Sequence, residues 1–132
     1  MNDVTREDPV AGIYDELGEE RLRALVAAFY RRIPDDELLG PMYPEQDFAG
    51  AEERLIDFLL YRLGGEPRYI ETRGHPRLRG RHAPFPLTVA ARDRWVELMG
   101  EAMQETDLTS DTAARLHAFL GDVATFLINR QG

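Results

Sequence analysis

His82 lies in the stretch "RLRGRHAPFPLT", residues 77–88, among Arg77, Arg79 and Arg81 and just ahead of Pro84 and Pro86. A neutral imidazole can bind a metal if its ring is aimed and its second nitrogen is held by a hydrogen bond. The two prolines stiffen the chain after it, which helps to aim the ring. A lone histidine is more often structural than ligating, so its position alone does not decide the matter. His75 precedes Pro76 and so sits in an extended or turn conformation. His117 falls beside an apolar helical stripe and reads as a surface or helix-packing residue. These histidines are not spaced for a zinc site. The chain also has no Gly-rich phosphate loop, no HExxH and no Gly-x-Ser-x-Gly.

Two further groups of residues could do chemistry. Arg68, Arg73, Arg77, Arg79 and Arg81 face only Glu66 and Glu71 in the same stretch, a local island of positive charge. An anion site and a solvated loop whose arginines pair with acids elsewhere both fit that pattern. Tyr30, Tyr43 and Trp95 each carry a donor that needs a partner when buried. Any one of them alone is an ordinary core aromatic. Together they suggest a small polar pocket inside a helical core.

Helices must position these groups. Asp8-Pro9 looks like an N-cap followed by a first-turn proline, opening a short helix to Gly18. Leu22, Leu25, Val26, Phe29, Tyr30 and Ile33 form one apolar helical face, which Pro34 ends. A helical turn and a loop fill residues 34–46. Asp47 is placed to cap a helix whose inner side is Ala51, Leu55, Phe58, Leu59 and Arg62, stopped by Gly64-Gly65. Thr88 opens the next, with Trp95, Leu98, Met99, Ala102 and Met103 on its apolar face. Thr109, Ser110 or Asp111 caps the last, along which Leu116, Phe119, Leu120, Val123 and Leu127 repeat. No segment alternates as a strand would, so the chain is predicted to be all-α. The irregular stretch from Gly64 to Leu87 is longer than compact domains usually tolerate unless it binds something.

Residues 1–132 suit a single domain, large enough for a real core. The formal charge of −8, from 16 basic and 24 acidic residues, argues against nucleic acid and anionic membrane as partners. With no cysteine there is no thiolate ligand or disulfide. The N-terminus lacks an apolar signal, and no run approaches the roughly 20 residues of a membrane span. A cytoplasmic protein is the expectation.

The stretches "AAFYRRI", "MYPEQDFAGAEERL", "RGHPRLRGRHAPF" and "RDRW" closely resemble the truncated haemoglobins of group II, in order and with suitable spacing from about Ile13 to Leu127. The resemblance implies a two-over-two helical sandwich around one haem b. It places His82 as the proximal iron ligand and Tyr30, Tyr43 and Trp95 around the ligand on the distal side. Ala51 stands where many globins have a distal histidine or glutamine, which is similar to the actinobacterial branch. Leu55 and Phe58 match apolar residues over the haem face, and the resemblance implies Leu78, Phe85, Trp95 and Met99 as further haem contacts. Arg54, Tyr69, His75 and Arg81 match residues near the propionates. One departure is Gly18-Glu19, where the family often has a Gly-Gly pair.

The function this implies is binding of oxygen, carbon monoxide, nitric oxide or similar ligands at ferrous iron. A donor-rich pocket suits retention or activation of oxygen better than rapid release. Peroxidase-like or nitric-oxide dioxygenase turnover is a rival, and it would need an electron donor such as a separate reductase. A haem-free helical module that binds an anionic metabolite through the arginines is a rival of another class. Monomer and homodimer are both open.

Overall fold

The computed structural model describes residues 10–43, 47–64 and 87–129. Among them the elements run α1 (Ile13–Arg32), a 3-10 turn (Gly40–Met42), α2 (Phe48–Gly64), α3 (Val89–Glu105) and α4 (Asp111–Phe126), with no strand. Helix α1 packs on α2, α3 and α4, and α3 packs on α4. This is the all-α two-over-two sandwich, with α1 and α2 as one layer and α3 and α4 as the other. No described helix is long and apolar enough to cross a membrane.

The expected caps form. Asp47 accepts from the Gly50 N–H at 2.9 Å and Thr88 from the Ala91 N–H at 3.1 Å. Of the three candidates for the last helix it is Ser110 that caps, accepting from the Ala113 N–H at 3.1 Å. Each satisfies a donor that the first helical turn leaves unpaired. Between α3 and α4, Asp107 takes a left-handed φ of 59°. The Leu108 N–H then returns to the Met103 carbonyl at 2.8 Å and the Asp107 N–H to Gln104 at 3.2 Å. This is a Schellman closure made with aspartate in place of the usual glycine, and Leu108 is buried beneath it.

The first helix differs from expectation. Helix α1 starts at Ile13, because Gly12 has φ 82° and cannot continue a helix begun at Pro9. Asp8 and Pro9 themselves lie outside the described residues. The expected break at Gly18 is present: its φ of 82° and ψ of 160° interrupt the helix, so a short segment and a long one meet at a kink. A glycine carries that conformation without a Cβ penalty. One glycine is therefore enough for the break where the sequence departs from a Gly-Gly pair.

The core is the apolar face predicted for α1, with Leu22, Leu25, Val26, Phe29 and Ile33 at 0–1% exposure, joined by Leu59, Met99, Leu116 and Leu120. Burying a side chain of that size contributes about 1.5–3 kcal/mol. In α4 the predicted stripe is deep at Leu116 and Leu120 but half-buried at Phe119, Val123 and Leu127. Arg62, expected on the inner side of α2, instead lays its guanidinium 5.3 Å from the Phe119 ring centre, a cation–π contact between α2 and α4. His117 is a helix-packing residue, as its position suggested: its Nε2 lies 3.1 Å from the Val96 carbonyl of α3.

Candidate functional site

Tyr30, Tyr43 and Trp95 come from α1, the end of the 3-10 turn and α3, and the fold brings them together. Tyr30 and Tyr43 meet edge to face with ring centres 5.8 Å apart. Phe29 stands 5.0 Å from Tyr30 and 5.0 Å from Trp95, filling the space between them. Phe48, at the start of α2, closes on Tyr43 at 5.6 Å. Edge-to-face and tilted rings at these distances are the favoured aromatic packings.

The polar atoms of the three residues form a directed set. Burial pushes the Tyr30 phenol well above its ordinary range, and the neighbouring Tyr43, by its charge when ionised and by its hydrogen bond, adds to the shift. Burial also raises Tyr43, opposed by its hydrogen bonds with Tyr30 and Trp95 and by the charge of Arg54. Both phenols therefore stay neutral and keep their protons. The Tyr43 oxygen is the hub, meeting the Tyr30 hydroxyl from one layer of the sandwich and the Trp95 N–H from the other. An oxygen that accepts from the indole N–H has its own proton left to give.

Helix α2 borders this cluster. Ala51 is buried in its first turn and brings no hydrogen-bonding side chain. Phe58 is buried, while Leu55 is half-buried and packed on the core. Arg54 is ion-paired with Asp47 at 3.7 Å and roughly half exposed, close enough for its charge to reach both phenols. Met99 of α3 is fully enclosed. His82, Tyr69, His75, Leu78, Arg81 and Phe85 lie outside the described residues, as does the arginine island.

Sequence reasoning missed three contributors. Phe48 was not singled out because a single aromatic after a cap carries no pattern. Asp36 and Arg94 were missed because their meeting joins residues 58 apart in the chain, Arg94 Nε donating to Asp36 Oδ1 at 2.5 Å. The only local signal was an aspartate three residues ahead of Leu39, whose N–H it accepts at 2.9 Å.

The bacterial-like globin family matches residues 12–129 of this chain. A group 2 truncated haemoglobin of Bacillus subtilis is 38% identical over 117 residues, 89% of this chain and 88% of the relative. The structure of a truncated oxygen-avid haemoglobin from Bacillus subtilis is similar with a TM-score of 0.84 at 38% identity, covering 89% of this chain and 98% of that one. The group II truncated haemoglobin of Bacillus anthracis is similar with a TM-score of 0.86 at 29% identity, covering 91% and 98%. In sequence, helix order and overall geometry, this chain belongs to the bacterial-like globins as a truncated haemoglobin of group II.

Proposed function

We propose that this protein binds oxygen and related diatomic gases in a polar pocket that retains or activates them, with Tyr43 as the principal donor and His82 as the iron ligand. Globin membership brings a haem with its iron, which supplies the coordination position for a small ligand and any electron transfer. The described residues suit that group. A flat apolar macrocycle needs apolar walls, and Leu55 and Phe58 of α2 and Trp95 of α3, all packed on the core, are suited to provide them. A ligand on its open side needs donors, and the two phenols and the indole are neutral donors gathered at one point.

The observation that carries this reading is the gathering of two buried phenols and an indole at one point of the core. The Trp95 N–H can only donate, so a Tyr43 oxygen that accepts from it keeps its own proton for whatever occupies the pocket. An oxygen molecule held there draws electron density and becomes a strong acceptor. A hydrogen bond to a charged partner is worth about 1.5–3 kcal/mol, more than one between neutral groups. With alanine at position 51, these residues have no rival donor in the first turn of α2. A Bacillus subtilis relative is described as oxygen-avid, in keeping with a pocket built for retention.

On the proximal side His82 carries the assignment through the family resemblance and the two prolines that follow it in the sequence, and Arg81, Tyr69, His75 and Arg54 are proposed to meet the propionates. Replacing His82 with alanine should strip the haem or abolish the ferrous histidine-ligated spectrum, read from the Soret band. An unchanged five-coordinate histidine spectrum would move the assignment to His75. Because the imidazole must be neutral to ligate, acid should also release haem from the parent protein.

A further inference from the structure

Asp36 is a carboxylate buried at the turn between α1 and the 3-10 segment, its side chain only 4% exposed. A buried charge survives only where its partners are built in. Oδ2 accepts from the Leu39 N–H at 2.9 Å and the Leu38 N–H at 3.2 Å, and Oδ1 accepts from Arg94 Nε at 2.5 Å. The other arm of Arg94 reaches the exposed Glu97 at 2.9 Å.

The two sides of Asp36 lead to two different pocket residues. On one side the chain winds directly to Tyr43. The Gly40 N–H donates to the Asp36 carbonyl at 2.9 Å, Met42 N–H to Leu39 at 3.0 Å and Tyr43 N–H to Gly40 at 3.3 Å. This strap has little freedom to slide. Leu39 is buried, and a Cβ on Gly40 would meet the carbonyl oxygens of Ile33 and Pro34 at 3.0 and 3.1 Å. On the other side Arg94 immediately precedes Trp95. Successive helical side chains point apart, so a guanidinium drawn outward to Asp36 leaves the indole turned inward, where its N–H meets Tyr43.

We propose that Asp36 and Arg94 form a latch that sets the distance between Tyr43 and Trp95, making both positioning residues for the ligand pocket. The inference rests on the donor role proposed above. It also explains why a charge is buried near donors that are all neutral: the ion pair joins the two segments that carry Tyr43 and Trp95 and fixes their spacing.

The test uses the haem-loaded full chain. Asp36→Asn keeps an oxygen for the Leu39 N–H but turns an amide NH2 toward Arg94, and Arg94→Gln breaks the same contact from the other side. Each should speed oxygen release roughly twofold to thirtyfold, the range expected when a contact outside a site perturbs it. Each should also broaden or split the C–O stretching band of the carbon monoxide complex. The double variant should do little more than either single one, since both remove one contact. In a Tyr43→Phe background Asp36→Asn should speed release less than it does in the parent, since only Trp95 is left for the latch to position. Glu97→Gln should leave oxygen release unchanged, and Arg94→Lys should restore part of the parent spectrum. If Asp36→Asn and Arg94→Gln lower the melting temperature yet leave release and the C–O band as in the parent, the latch is refuted. Tyr43→Phe then separates the two ideas: if it alone changes release, the donor role stands without the latch, and if it changes nothing, the donor role falls as well. Should Asp36→Asn fail to accumulate, Arg94→Gln, whose side chain is 37% exposed, decides the question alone.

Discussion

Helix α1 is joined to α3 in two places, and neighbouring residues do it by opposite means. Phe29 and Tyr30 face inward: Phe29 packs on Trp95, and Tyr30 reaches it through the Tyr43 oxygen. Arg31 and Arg32 face outward and grip the far end of α3. Arg31 pairs with Glu105, and Arg32 pairs with Glu105 at 2.6 Å and Glu101 at 3.5 Å. The inner join uses neutral donors because burial penalises charge. The outer join uses full charges because water supports them there, and water also screens them. A polar contact in this fold is thus worth much or little according to its side of α1.

The largest expected effect lies on the inner side. Phe29 is fully buried and touches both Tyr30 and Trp95, so Phe29→Ala should cost about 3–5 kcal/mol of stability. Denaturant unfolding of the haem-loaded protein measures it. A loss under about 1 kcal/mol would mean that the aromatics do not hold one another in place.

The second effect is one of sign with pH. Tyr30 and Tyr43 have folded-state pKa values raised above the ordinary 10.0, first by burial. Their contribution is full below the unfolded pKa and is lost as pH rises through the folded values. Glu105 is held below its ordinary 4.5, first by its hydrogen bond from Arg32 and then by that from Arg31. Its contribution is present above the unfolded pKa and is lost as pH falls through the folded one. An alkaline titration followed by phenolate absorbance should therefore show tyrosines that ionise only as the fold opens. Replacing both tyrosines with phenylalanine should remove that late phase. Its persistence in the double variant would contradict the burial argument.

The smallest effect belongs to the outer join. Glu105→Gln should leave oxygen release unchanged and should barely move the melting temperature, by less at high salt than at low. A large loss from this exposed pair would erase the distinction between the two sides.

The sequence reading went furthest where the cause is local. The caps at Asp47, Thr88 and Ser110 satisfy donors within three residues, so short motifs reveal them. The apolar face of α1 is visible because a helix repeats. The start of α1 was misplaced because Asp8-Pro9 is a sound local signal, whereas a single glycine at position 12 permits a left-handed φ without requiring it. The types of the three pocket aromatics were legible, but their order was not. That Tyr43 meets both others depends on three elements coming together, and the Asp36–Arg94 contact spans 58 positions. Long-range polar contacts leave no periodicity to read.

The central claim is that Tyr43 supplies the decisive hydrogen bond to the ligand, and gas release rates test it most directly. Oxygen and carbon monoxide dissociation should be measured for Tyr43→Phe, Trp95→Phe and the pair. Losing a hydrogen bond of about 1.5–3 kcal/mol should speed oxygen release roughly 10- to 150-fold in Tyr43→Phe. Trp95→Phe should do less alone, since its N–H is turned to Tyr43, and the pair should exceed either because Trp95 is then no longer free to redirect its proton. Carbon monoxide, less polar when bound, should respond more weakly throughout. Oxygen release unaffected in all three variants, or equal responses from the two gases, would show that these donors do not touch the ligand and that the pocket acts by shape alone.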